Sequence, residues 1–68
     1  MNTHNIIILR LPSVMKRTGV ARSTIYDWMN PKSPRYDATF PRQKRLGPQS
    51  VGWIESEINE WLSNRETV

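Results

Sequence analysis

Thr18-Gly19-Val20-Ala21-Arg22-Ser23-Thr24-Ile25-Tyr26-Asp27-Trp28-Met29 is the stretch whose reading decides the fold. Gly19 suits the left-handed position just past a helix end, and a second helix is predicted to begin near Arg22. At helical spacing Ile25, Trp28 and Met29 turn inward, whereas Arg22, Ser23, Tyr26 and Asp27 turn outward. A short helix, a tight turn and a second helix of this kind form a helix-turn-helix, which places side chains in the major groove of DNA. Such a chain reads sequence and is not an enzyme.

The flanking residues extend the pattern. Leu11 through Thr18 is predicted as the first helix, because Leu11, Val14, Met15 and Thr18 share one face. Pro12 is tolerated there because the first turn has no intrahelical use for its missing N–H. The second helix should run from Arg22 to Met29 and stop at Asn30-Pro31. Ala21 stands at its cap position and lacks a side-chain acceptor, so Ser23 is the alternative cap. Asn30 to Thr39 reads as a long loop, broken by Pro31 and Pro34. Phe40-Pro41 opens a new element. Arg42–Leu46 and Ser50–Trp53 are strand candidates around Gly47-Pro48-Gln49, a hairpin signal. Ile54, Ile58, Trp61 and Leu62 recur at the spacing of an amphipathic helix, with Glu55 and Glu57 in its first turn. Core packing is the reading given to Trp53, Ile58, Trp61 and Leu62. Ile6 to Leu9 reads as a short strand, and Met1 to Asn5 as a loose terminus. The expected order is strand, helix, helix, hairpin, helix: a mostly α, winged helix-turn-helix domain spanning residues 1–68.

Composition narrows the function classes. The 68 residues allow one small core. There is no Cys and a single His, His4, so neither a disulfide nor a thiolate metal site is open, and no cofactor is expected. Ile6-Ile7-Ile8-Leu9 is too short to span a membrane or to form a signal-peptide core, so the expectation is a soluble, cytoplasmic chain without membrane association. Glu57 and Glu60 share a helix with no nucleophile set beside them, and the glycines are isolated, which points away from catalysis and small-molecule substrates.

The formal net charge of +4 is unevenly spread. Residues 1–50 hold nine of the ten Lys and Arg and net +7, whereas residues 51–68 net −3. One end is a candidate phosphate-facing surface, and the other is repelled by DNA.

Within that frame each candidate has a task. Arg22 either forks onto guanine O6 and N7 or holds a phosphate. Ser23 and Thr24 can donate to phosphates or touch base edges. Tyr26 either donates its hydroxyl to a phosphate or is partly buried beside the first helix. Asp27 can accept from cytosine N4 or steady a neighbouring Arg. Lys16 and Arg17 end the first helix, beside the groove. Arg42, Lys44 and Arg45 lie on the wing, where they enter the minor groove or contact phosphates only. Lys32 and Arg35 either add phosphate contacts or are simply solvated.

Residues 10–62 resemble the AlpA family of prophage regulators, which is related to the small phage excisionases. The resemblance rests on Arg10-Leu11-Pro12, Val14, Thr18-Gly19-Val20, Arg22-Ser23-Thr24-Ile25-Tyr26, Phe40-Pro41, Leu46-Gly47, Val51-Gly52-Trp53, Ser56-Glu57-Ile58 and Trp61-Leu62. It implies a winged-helix domain that binds double-stranded DNA. Its implied task is to activate a prophage gene or to direct excision, with RNA polymerase or integrase as the corresponding protein partner. By position it assigns Arg22, Ser23, Thr24, Tyr26 and Asp27 to the recognition helix, and Gly47, Pro48 and Gln49 to the wing. The chain departs from the pattern at Ala21, often Ser in relatives, and in the long 30–39 excursion, which resembles a long-loop variant of the family. Gln43 and Lys44 also make the first wing strand more polar than usual. The competing reading is a protein-interaction module that docks an acidic partner on its basic face. An RNA-binding reading lacks an aromatic stacking platform.

Overall fold

A computed structural model describes residues 6–68. The expected loose terminus at residues 1–5, with His4, lies outside the described residues. The elements are β1 (Ile8–Leu9), α1 (Leu11–Thr18), α2 (Arg22–Met29), β2 (Lys44–Gly47), β3 (Ser50–Ile54) and α3 (Glu55–Ser63). The three strands form one antiparallel sheet in the order β1-β3-β2. This is the expected winged helix-turn-helix order, with β2 and β3 as the hairpin.

Both helices of the helix-turn-helix keep their predicted bounds, because local chemistry sets them. α1 begins with Pro in its first turn and ends on Gly19 at φ 74°, whose N–H donates to the Met15 carbonyl. At this positive φ a Cβ is unfavourable, so glycine closes the helix without strain. Lys16 and Arg17 occupy the last turn, favourable for the helix dipole. The N-cap of α2 is Ala21, with no side-chain cap hydrogen bond. Ser23 therefore does not serve as the alternative cap. It lies inside the first turn, past the point where a side-chain oxygen could reach forward to the leading N–H groups.

Three strand boundaries differ from expectation. β1 is shorter than Ile6–Leu9, although the Ile7 carbonyl still accepts from the Glu55 N–H at 2.8 Å. β2 starts at Lys44, so Arg42 and Gln43 precede the wing strand. The irregular register between Arg45 and Gly47 lets Gly47 pair with Ser50 and leaves Pro48-Gln49 as the tip. Ile54 ends β3 and caps α3 rather than opening the helix. It pairs with Ile8, and that antiparallel partnership claims its backbone before the helix begins.

The core contains Leu9, Val14, Ile25, Phe40, Trp53, Ile58 and Trp61, with Trp28, Met15, Met29, Leu11, Val20 and Leu62 packed against it. Its centre is aromatic. The Trp28 ring lies 5.3 Å from Phe40 and 5.0 Å from Trp61, and Phe40 meets Trp61 edge-on at 5.0 Å. Edge-to-face and tilted pairs at this separation add to the area term of burial. The Trp53 indole N–H is buried without a partner, whereas that of Trp61 donates to Thr39 Oγ1 at 3.1 Å.

Two long-range ties close the molecule. Gly52 lies beneath β1, where an added Cβ would meet Ile8 Cγ2 at 2.5 Å and the Leu9 carbonyl oxygen at 2.9 Å. Asp37 gathers the loop onto α3. Its carboxylate accepts from the Thr39 N–H at 2.8 Å, from the Thr39 hydroxyl at 2.5 Å and from Arg65 at 3.2 Å. Arg65 in turn stacks over the Trp61 ring at 4.4 Å. The Thr39 hydroxyl holds the Asp37 carboxyl below its usual range, with its backbone N–H and Arg65 acting in the same direction against partial burial.

Both ties can be tested by substitution. Gly52→Ala should destabilise the fold by about 1–3 kcal/mol, since backbone as well as side chain must shift; a thermal melt matching the parent would disprove the close approach. The Asp37 interaction is present above the unfolded-state pKa and lost as pH falls through the lower folded pKa. Asp37→Asn should therefore lower stability at neutral pH and flatten its fall on acidification below about pH 4, read by denaturant titrations across the acid range.

Candidate nucleic-acid interface

The outer face of α2 carries the candidate readers. Arg22 and Ser23 are exposed at its start and Thr24 is half-buried, while Ile25 on the opposite side is fully buried. Tyr26 is 43% exposed, so its ring is only partly covered and the hydroxyl-bearing side chain stands at the surface. Asp27 is half-buried and forms no ion pair with Arg22 or any other cation among the described residues. It therefore steadies no Arg in this structure. Helix position, not capping chemistry, presents these groups: Ile25 and Trp28 anchor one side and leave the other free.

The first helix divides its two cations. Lys16 is exposed. Arg17 is committed elsewhere: one guanidinium nitrogen donates to Glu55 at 2.6 Å and the other to Asn59 at 2.8 Å. In the free domain these contacts make Arg17 a tie between α1 and α3. The fork geometry of guanidinium suits two acceptors on one helix face, and a Lys could not reproduce it. The signal for this pairing was absent from local sequence, because the partners lie 38 and 42 residues away.

On the wing, Lys44, Arg45 and Gln49 are exposed, and Arg45 also donates to the Pro48 carbonyl at 3.4 Å, a long contact across the tip. Arg42 is exposed just before β2 and not in the wing strand itself. It lines two shallow grooves. One, of about 420 Å³, is shared with Tyr26 of α2 and Tyr36 of the long loop. The other, of about 770 Å³, runs along α3 and is bordered by Glu57, Glu60 and Glu66. The first holds one cation and one carboxylate, Arg42 and Asp37, and in the second Arg42, Lys44 and Arg65 also stand among the carboxylates. Tyr36 is a surface aromatic that sequence reasoning missed: a lone Tyr in a loop carries no periodic or motif signal.

No group of His, Asp or Glu among the described residues is placed to hold a metal ion, and no helix is long and apolar enough to cross a membrane.

The family model described as prophage CP4-57 regulatory protein (AlpA) matches residues 7–66. The chain belongs to the AlpA family of prophage regulatory proteins. It is 67% identical over 66 residues to the DNA-binding transcriptional activator AlpA of Escherichia coli strain K12, covering 96% of this chain and 94% of that one. It is also 39% identical over 57 residues to an uncharacterized protein, ORF88, of Enterobacteria phage P4, covering 84% of this chain and 58% of the phage protein. No solved structure gives a significant match. Among AlpA-family features, the Arg22-Ser23-Thr24-Ile25-Tyr26 string falls on α2, and the Phe40-Pro41 pair seats the aromatic core beneath it.

With Arg17 held by α3, Arg17→Ala should cost about 0.2–1 kcal/mol of stability, the range of a partly exposed ion pair. It should leave the salt dependence of any DNA binding unchanged. A shallower salt slope in binding titrations would return Arg17 to the interface.

Proposed function

We propose that this chain is a sequence-specific, double-stranded DNA-binding regulator of prophage transcription, with α2 seated in the major groove and the β2–β3 wing against the neighbouring backbone. One observation carries the reading: α2 is pinned by Ile25 and Trp28 on its inner side while Arg22, Ser23 and Tyr26 stand exposed on the other. A helix held this way projects as a rigid rod, which is what major-groove readout requires. The name of the E. coli relative, a DNA-binding transcriptional activator, supports the activator version over an excision factor. Activation requires contact with RNA polymerase; excision would require integrase or bending of attachment-site DNA.

Arg22 is assigned to base reading, with Ser23 and Thr24 on phosphate or base edges. Tyr26 supplies a hydroxyl to the backbone, and Asp27 discriminates bases by accepting from cytosine N4. Lys16 and the wing residues Arg42, Lys44, Arg45 and Gln49 supply sequence-independent contacts. Charge alone would equally suit an acidic protein partner. The rod-like presentation of α2 favours the duplex, because a helix in a groove exploits it and a diffuse acidic surface does not.

Genomic fragments selected by the purified chain supply the cognate duplex. Arg22→Ala should weaken binding to it by about 1–3 kcal/mol and relax preference at one base pair. Uniform weakening across all sequences would make Arg22 a phosphate clamp. Failure of the parent chain to bind any duplex at low salt, with binding to an acidic protein retained, would replace the DNA reading.

A further inference from the structure

The 30–39 excursion is long for a connection between a recognition helix and a wing, yet it is tightly organised. The Asn30 carbonyl accepts from the Ser33 N–H at 2.9 Å, and the Asn30 side chain accepts from the Lys32 N–H at 3.0 Å. Ser33 repeats the pattern: its hydroxyl accepts from the Arg35 N–H at 3.1 Å and its carbonyl from the Tyr36 N–H at 3.1 Å. The Asp37 N–H then returns to the Trp28 carbonyl at 2.9 Å, which ties the loop to the end of α2. Successive turns therefore hold Lys32, Arg35 and Tyr36 in place before any partner arrives.

What the loop presents is cationic and polar. Lys32 and Arg35 are exposed, and neither has a carboxylate partner among the described residues. Tyr36 is 40% exposed and lines the 420 Å³ groove with Tyr26 and Arg42. Asp37 is the one carboxylate lining that groove, and its charge is engaged by Arg65 and Thr39. The groove thus joins a residue of the recognition helix, a residue of the loop and a cation at the root of the wing. Two tyrosines and an arginine lining one groove fit a phosphodiester strand by charge and hydrogen bonding.

We propose that the 30–39 loop is a third DNA-contacting element, and that the groove between Tyr26, Tyr36 and Arg42 receives the sugar–phosphate strand bordering the major groove in which α2 sits. The assignment rests on the DNA-binding function proposed above and extends it. Lys32 and Arg35 neutralise phosphates along the same strand, and Tyr36 donates its hydroxyl to one. The contacts are sequence-independent. They lengthen the footprint beyond the recognition helix and wing, and fix the register of α2 without reading a base.

A mixed-sequence duplex of about three helical turns is the probe, because phosphate contacts need no cognate site. The logarithm of the binding constant is plotted against the logarithm of salt concentration for the full chain and its variants. Combined Lys32→Ala and Arg35→Ala should reduce the steepness of that plot by about 1.8, at roughly 0.9 for each phosphate no longer neutralised. Tyr36→Phe should weaken binding about threefold to tenfold with the slope unchanged, since a neutral hydroxyl releases no counterion. All these positions are surface-exposed, so the melting curves should coincide with that of the parent. An unchanged slope in the double variant, with Arg22→Ala still weakening binding to the cognate duplex, would overturn the loop contact and leave the proposed function standing. Absence of binding by the parent chain at low salt would overturn both.

Discussion

The contact of Trp28 with Phe40 and Trp61 is the interaction on which the rest of the molecule depends. α2 has eight residues, too few to persist as a helix in water by its own hydrogen bonds. It also lacks a capping side chain at Ala21. Its stability and its direction must come from what it packs on. Trp28 supplies that footing at the C-terminal end and Ile25 one turn earlier, against a core drawn from the loop, the sheet and α3. The same rings link distant chain segments: Phe40 follows the long loop, and Trp61 belongs to α3. A change at any of the three shifts the rod that faces outward, although none of them is positioned to read a base.

Charge is arranged around this core with the same economy. The two ion pairs, Arg17–Glu55 and Arg65–Asp37, each join the basic first fifty residues to the acidic last eighteen. As partly exposed pairs they are worth little individually. Their effect is positional. They tie α3 to α1, and Arg65 just past α3 to the loop. The other eight Lys and Arg have no carboxylate partner among the described residues. Three of the four carboxylates left unpaired, Glu57, Glu60 and Glu66, belong to the C-terminal segment. The unpaired charge is thus mostly basic in the first fifty residues and mostly acidic in the last eighteen.

Where local chemistry sets structure, the sequence was legible. Gly19 and Pro31 are stop signals that act within one or two residues, so α1 and α2 fall where their apolar spacing predicted. The inward set Ile25, Trp28, Ile58 and Trp61 follows from helical period, and Trp53 from its size. Where tertiary pairing decides, the reading slipped. Ile54 has the spacing of α3, but its pairing with Ile8 holds it in β3. Arg42 is basic and near the wing, yet β2 begins only where pairing with Gly52 becomes possible, at Lys44. Arg17 is indistinguishable from Lys16 by local rules. Only the return of α3 across the chain separates a pinned guanidinium from a free ammonium.

The loop between α2 and the wing shows how these two kinds of information combine. Proline and small polar residues announce that the 30–39 stretch cannot be helix or strand, and their side chains then supply the acceptors that close each turn. Local chemistry thus makes the segment rigid. Its position relative to α2 is set by longer reach, through the Asp37 N–H to the Trp28 carbonyl and the Asp37 carboxylate to Arg65. A loop without those ties would order its cations only on contact, at a cost of roughly 1–2 kcal/mol per backbone residue fixed. Here that ordering is already complete on folding. Such a loop extends the surface beside α2 without enlarging the core, because its own side chains close its turns while Trp28 and Arg65, which the fold already fixes in place, set its position.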